Sequence, residues 1–144
     1  MITRPVREEL SLAVDTYPIL EEVLSAEWLE TVRVDGLEEL YVFADVLNHL
    51  GDPTRNAGEA SVLAWAKVNG GVVYVDDQAA YNQARQLGVR AYRTLRLVVQ
   101  ALKRGLFTAV RAQELVRQLA DTGARFPGTA CTDLITWARG EGLL

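Results

Sequence analysis

Two adjacent carboxylates, Asp76 and Asp77, close the most apolar short run of the chain, Val72-Val73-Tyr74-Val75. A third, Glu59, stands in AGEASVLAWA, a helical pattern that leads directly into that run. Carboxylate oxygens are hard ligands, and three or four of them around one or two cations suit Mg2+ or Mn2+. Such a centre lowers the pKa of water and clamps a scissile phosphodiester. The same residues also have a purely structural use. Asp77 can cap a helix beginning at Gln78, and Glu59 can complement a helix dipole from its first turn. The pattern by itself leaves both readings open.

Other chemistries find little support. The chain has no G-x-G-x-x-G loop, and the segment Gly51–Gly58 lacks the Gly-Lys pair of a phosphate-binding loop. No G-x-S-x-G elbow is present, and a single histidine, His49, leaves no partner set for a nucleophilic triad. His49 falls at a helix end, where it stabilises the terminus. A zinc site needs more Cys and His than one of each. Cys131 reads as a small core thiol, and one cysteine suits a reducing cytoplasm. Trp28, Trp65 and Trp137 lie on helical apolar stripes and read as core.

For the carboxylates to meet, the surrounding elements must bring them to one edge. Short β-rich runs alternate with helical periods, the pattern of an α/β domain with a mainly parallel sheet. In such sheets ligands bind at the carboxyl ends of the strands, where Asp76 and Asp77 stand. Strands are expected at 31–34, 72–75 and 89–92. Helices are expected over 5–12, from the Asp15–Thr16 cap onward, and over 37–50 and 78–87. Further helices are expected over 94–104, 109–121 and 129–139. The segment GDPTRNAG, 51–58, reads as a turn-rich loop, with a helix beginning at Ala57 or Gly58.

With 144 residues, 49% hydrophobic and 24% charged, the chain suits one globular domain, 1–144. No apolar run approaches the roughly 20 residues that span a bilayer, and MITRPVREEL lacks the apolar core of a signal peptide. No membrane partner is expected. A net charge of −4 argues against a general nucleic-acid binder. The charge is uneven. Residues 1–72 carry 5 Lys/Arg and 13 Asp/Glu, whereas residues 73–144 carry 10 and 6. The basic excess gathers at Arg85, Arg90, Arg93, Arg96, Lys103 and Arg104, a set able to follow a phosphate backbone or to form a solvated face.

Residues 57–107, AGEASVLAWAKVNGGVVYVDDQAAYNQARQLGVRAYRTLRLVVQALKRGLF, resemble the PIN-domain family, in particular its small prokaryotic branch. The matching features are a G-E-A helix, an apolar strand ending in Asp-Asp, an A-x-x-x-A helix, L-G, a strand ending near Thr94, and a K-R-G-L turn. The resemblance extends to 139 through AVRAQELVRQL and the final helix.

The resemblance implies a PIN-like three-layer α/β domain, its short sheet flanked by helices. It implies a Mg2+- or Mn2+-dependent endoribonuclease of the toxin–antitoxin type. Glu59 and Asp77 would then be catalytic, and Glu59, Asp76 and Asp77 metal ligands, with Thr94 nearby. RNA, an antitoxin or other protein, and a second copy are the implied partners. The family also begins with a strand ending in Asp-Thr. Either ITRPVREEL is the family's second strand and helix, so that the chain lacks that first strand and its aspartate, or SLAVDTYPIL is the first strand and Asp15 its acid. The first placement implies an incomplete acidic site, and with it the alternative of a catalytically silent PIN-like module that binds RNA or a protein.

Overall fold

The computed structural model describes residues 1–144. The chain is organised as two compact units, Met1–Ala91 and Tyr92–Leu144.

The first unit opens with a two-residue strand, β1 (Ile2–Thr3), which passes straight into helix α1 (Arg4–Leu12). Pro5 sits in the first turn of α1, where its missing N–H costs nothing. Helix α2 (Ile19–Leu24) follows a turn at residues 13–16. That turn holds Asp15 and Thr16, so SLAVDTYPIL forms no strand and Asp15 closes none. Neither residue caps α2, which starts after Pro18 without a side-chain cap. The expected strand at 31–34 is only β2 (Thr31–Val32), and it pairs in parallel with β1, Ile2 opposite Thr31 and Thr3 opposite Val32.

Helix α3 (Leu37–Leu50) begins at Gly36, where the Glu39 carboxylate accepts the Asp35 and Gly36 N–H groups, each at 3.1 Å. Asn69 donates to the other oxygen of Glu39, and these bonds hold its pKa below the usual glutamate value, the Asn69 bond contributing most. His49 lies in the last turn of α3 with Nδ1 at 2.8 Å from the Asp45 carbonyl, a helix-end role.

Helix α4 (Pro53–Asn69) is four residues longer at its start than the sequence suggests. Asp52 accepts the Thr54 N–H at 2.9 Å, and Pro53 fits the first turn. The loop reading of GDPTRNAG therefore gives way to a capped helix. Ala60, Leu63, Ala64 and Ala66 of α4 are buried. With Leu63 filling the core and the alanines allowing close approach, α4 is the floor on which α1, α3, β1 and β3 (Val72–Tyr74) all rest. Thr3 joins β1 to α4 through a buried 2.6 Å bond to Ser61. Ser61 spends its own proton on the Gly58 carbonyl, so Thr3 is the donor of that pair.

Helix α5 (Gln78–Gln86) follows β3 and leads through the left-handed Gly88 to β4 (Arg90–Tyr92), which pairs with β3. The sheet is thus divided into two pairs, β1–β2 and β3–β4. The core of this unit gathers Val46, Leu63, Val73, Ala80, Ala84 and Val89. Trp28 is not in it. At 77% exposed it lies on the surface, contrary to its expected place in a core.

The second unit is helical: α6 (Thr94–Lys103), α7 (Ala109–Asp121), α8 (Gly128–Thr132) and α9 (Leu134–Gly140). Leu95, Val98, Val99, Ala112, Val116 and Leu134 form its core, with Cys131 and Trp137 packed at the margin. The helix expected over 129–139 is broken at Asp133. Gln113 of α7 reaches both exposed helix ends, donating to the Cys131 carbonyl at 2.8 Å and accepting from the Leu134 N–H at 2.6 Å. Asp133 then caps α9 through the Thr136 N–H.

Candidate functional site

At the end of β3 the chain turns into α5, and Asp76 and Asp77 occupy the turn. Both are exposed. Asp77 is the N-cap of α5, its Oδ1 accepting the Ala80 N–H at 2.8 Å. The structural use foreseen for this residue is therefore realised, at the cost of one carboxylate oxygen.

Glu59 lies in the second turn of α4, and the two aspartates share with it a cup of about 210 Å3. Val6, Glu9, Gly58, Val62, Tyr74 and Val75 complete the lining. Glu59, Asp76 and Asp77, predicted to act together, are brought together. Asp15 is not among them, and Thr94 belongs to the second unit.

Glu9 was not singled out from the sequence. It reaches the cup because α1 crosses α4 at a glycine. A Cβ on Gly58 would stand 2.9 Å from both carboxylate oxygens of Glu9, so only glycine leaves that room. The crossing is the signal, and it is a tertiary one. In VREEL the spacing places Glu9 one turn after Val6, on the face that meets α4, but nothing local marks it as chemical.

The electrostatics of the cup are unresolved within the chain. Glu9 as a residue is exposed, yet its carboxylate rests against Gly58. Its pKa is pushed above the usual glutamate value, first by burial and then by the charge of Glu59, while a bond from the Gly58 N–H acts the other way. Glu59 Oε2 is buried and meets no hydrogen-bond donor. A buried carboxylate oxygen without a partner is costly. Two carboxylates that raise each other's energy, one with an orphaned oxygen, have the donor chemistry of a cation site. The fit is partial: no group of three or more Asp, Glu, His or Cys side chains converges closely enough to hold an ion.

A cavity of about 440 Å3 lies elsewhere in this unit, beside Arg4, Glu8, Arg33 and Asp35. Its charges are mixed, and Arg4 is paired with Glu8 at 2.9 Å. The basic residues are also partly committed. Arg96 stacks on the Tyr92 ring at 4.0 Å, and Lys103 donates to the Leu143 carbonyl.

A family described as PIN domain matches residues 1–139. The chain belongs to the PIN-domain family. The first strand of the chain is β1, within ITRPVREEL, and Asp15 lies in a turn within SLAVDTYPIL. No curated protein and no solved structure shows significant similarity to this PIN domain. No helix in it is long and apolar enough to cross a membrane.

Proposed function

We propose that this PIN domain is a divalent-cation-dependent endoribonuclease whose acidic site is incomplete in the isolated chain. The observation that carries the reading is Glu59 Oε2, buried without a donor in the same cup as Glu9, Asp76 and Asp77. Glu9 and Glu59 would hold a Mg2+ or Mn2+ ion between α1 and α4. Asp76 and Asp77 line the same cup from the end of β3. Bound there, the cation would supply charge neutralisation for a phosphodiester and a more acidic water. The protein groups hold the cation and orient it, and Val6, Val62 and Val75 keep one side of the cup apolar. A toxin's role beside a cognate antitoxin belongs to this reading as its biological setting.

A second reading has its own support. Asp77 spends one oxygen on α5, and no three carboxylates converge. These favour a silent PIN-like module that binds RNA or a protein without cutting.

Calorimetric titration with Mn2+ separates the two. Under the first reading, wild type binds saturably, and Glu59→Gln, Glu9→Gln and Asp77→Asn each weaken binding. A ribonuclease assay on mixed RNA in Mn2+ should then show cleavage that Glu59→Gln abolishes. Absence of specific heat in wild type would leave the module reading in possession.

A further inference from the structure

The parallel strands β1 and β2 end at the cavity of about 440 Å3, within the roughly 300–1,000 Å3 of small-molecule sites. Ligands of parallel sheets bind at this carboxyl end of the strands. Thr3 stands opposite Val32, so the next residues, Arg4 and Arg33, leave the pair side by side, and both line the cavity. Pro5, Val34, Leu40 and Phe43 give it apolar walls. Helix α1 divides this cavity from the acidic cup: Arg4, Pro5 and Glu8 line the first, Val6 and Glu9 the second.

The charges of the lining are equal in number and unequal in use. Arg4 Nε donates to Glu8 at 2.9 Å, which leaves the two terminal nitrogens of Arg4 without an acceptor in the chain. Arg33 and Asp35 form no ion pair, with each other or with any other side chain. Asp35 donates its backbone N–H to Glu39, but its carboxylate is uncommitted. One cation and one anion, two residues apart, thus stand open at the edge of an apolar cleft.

We propose that this cavity binds a free α-amino acid with a bulky apolar side chain. Arg33 takes the carboxylate, helped by the terminal N–H groups of Arg4, because a guanidinium fork matches the two oxygens. Asp35 takes the ammonium group. The side chain enters between Pro5, Val34, Leu40 and Phe43 and covers Leu40, which is 45% exposed in the empty cavity. Local charge selects the zwitterion. With Arg4 and Glu8 paired, a ligand bearing one charge of each sign leaves neither Arg33 nor Asp35 unmatched. A simple carboxylate meets Asp35 as a like charge, an amine meets Arg33 as one, and an internal residue of a peptide carries neither group. None of Glu9, Glu59, Asp76 and Asp77 lines this cavity, so the inference does not depend on cation binding by the cup.

The test is a titration of the isotope-labelled chain with L-phenylalanine and L-leucine, followed through its amide signals by two-dimensional NMR. Saturable shifts are expected at Arg4, Arg33, Asp35, Leu40 and Phe43. Three probes each lack one part: hydrocinnamate the ammonium group, phenethylamine the carboxylate and glycine the apolar side chain. Each should bind at least about tenfold more weakly than phenylalanine. Arg33→Gln and Asp35→Asn, both at exposed positions, should weaken phenylalanine to a similar degree while the rest of the spectrum stays in place. No saturable shift with either amino acid overturns the proposal, as do shifts confined to other segments or full affinity in Arg33→Gln. Hydrocinnamate binding as tightly as phenylalanine overturns the zwitterion in favour of a simple carboxylate. Glycine binding as tightly overturns the role of the apolar walls. All outcomes are read without added Mn2+, so they stand apart from the titration that tests the cup as a cation site.

Discussion

Glu9 and Glu59 oppose each other across the crossing of α1 and α4, and the opposition has a pH signature. The pKa of Glu9 is raised in the folded chain, by burial first and by Glu59 second. A raised carboxylate pKa means that the folded state binds the proton more tightly than the unfolded one. The resulting stability is complete below the unfolded value near 4.5 and is lost as pH rises through the folded pKa. Glu9→Gln imitates the protonated form. It is expected to be more stable than wild type at pH 7 and equal to it near pH 4, measured by urea denaturation at both. A gap that stays constant with pH would remove the electrostatic cause. Asp77 separates two roles in a similar way. Asn caps helices as well as Asp does, so Asp77→Asn should leave stability nearly unchanged, whereas Asp77→Ala should cost about 1 kcal/mol. Equal losses in the two variants would mean that the charge, and not the cap, holds the start of α5. The place of Asp76 and Asp77 at the end of β3 was legible because an apolar strand running into Asp-Asp is a local pattern. Glu9 was not, because its neighbour Gly58 is 49 positions away along the chain.

At the scale of elements, α4 is what positions the cup, and the one place where it yields is Gly58. An alanine there gains helix propensity of up to about 1 kcal/mol over glycine. Its Cβ would meet only the far end of the flexible Glu9 side chain. Gly58→Ala should therefore keep or raise thermal stability while displacing the Glu9 carboxylate from the cup. Under the cation reading, Mn2+ affinity falls although the fold is intact, a combination that circular dichroism and calorimetry on one sample would establish. Retained affinity would place the site without Glu9. Helix α4 also shows where sequence reading stops short. Gly51, Pro53 and Gly58 together suggest a loop, but the Asp52 cap and the tolerance of a first turn for proline start the helix early. The break at Asp133 was hidden for a different reason. Gln113, on another helix, satisfies the ends of α8 and α9, and a local pattern cannot report a distant partner.

At the scale of the molecule, the α/β class and most element boundaries followed from periodicity, because buried faces repeat every 3.6 or 2 residues. The division of the sheet into two pairs did not, since pairing is a long-range property that no single strand encodes. The exposure of Trp28 belongs here as well: α2 ends at Leu24, so Trp28 falls in a turn and not on a helical stripe, and its side chain stays at the surface. Cation binding, if the cup is a site, must also be felt by the whole first unit. The ion would bridge α1 and α4, which pack on each other in the folded chain, and the unfolded chain holds no such pair in place. Binding to the folded state alone stabilises by about 2.7 kcal/mol at a hundredfold excess over Kd. Mn2+ should accordingly raise the Tm of wild type in steps that follow the logarithm of its concentration. Glu59→Gln should remove that shift. Glu9→Gln should combine a higher Tm without metal at pH 7 with a smaller rise on adding it, because the same repulsion that weakens the empty pair strengthens its hold on a cation. A Mn2+ shift of equal size in all three proteins would move the bound ion away from the cup.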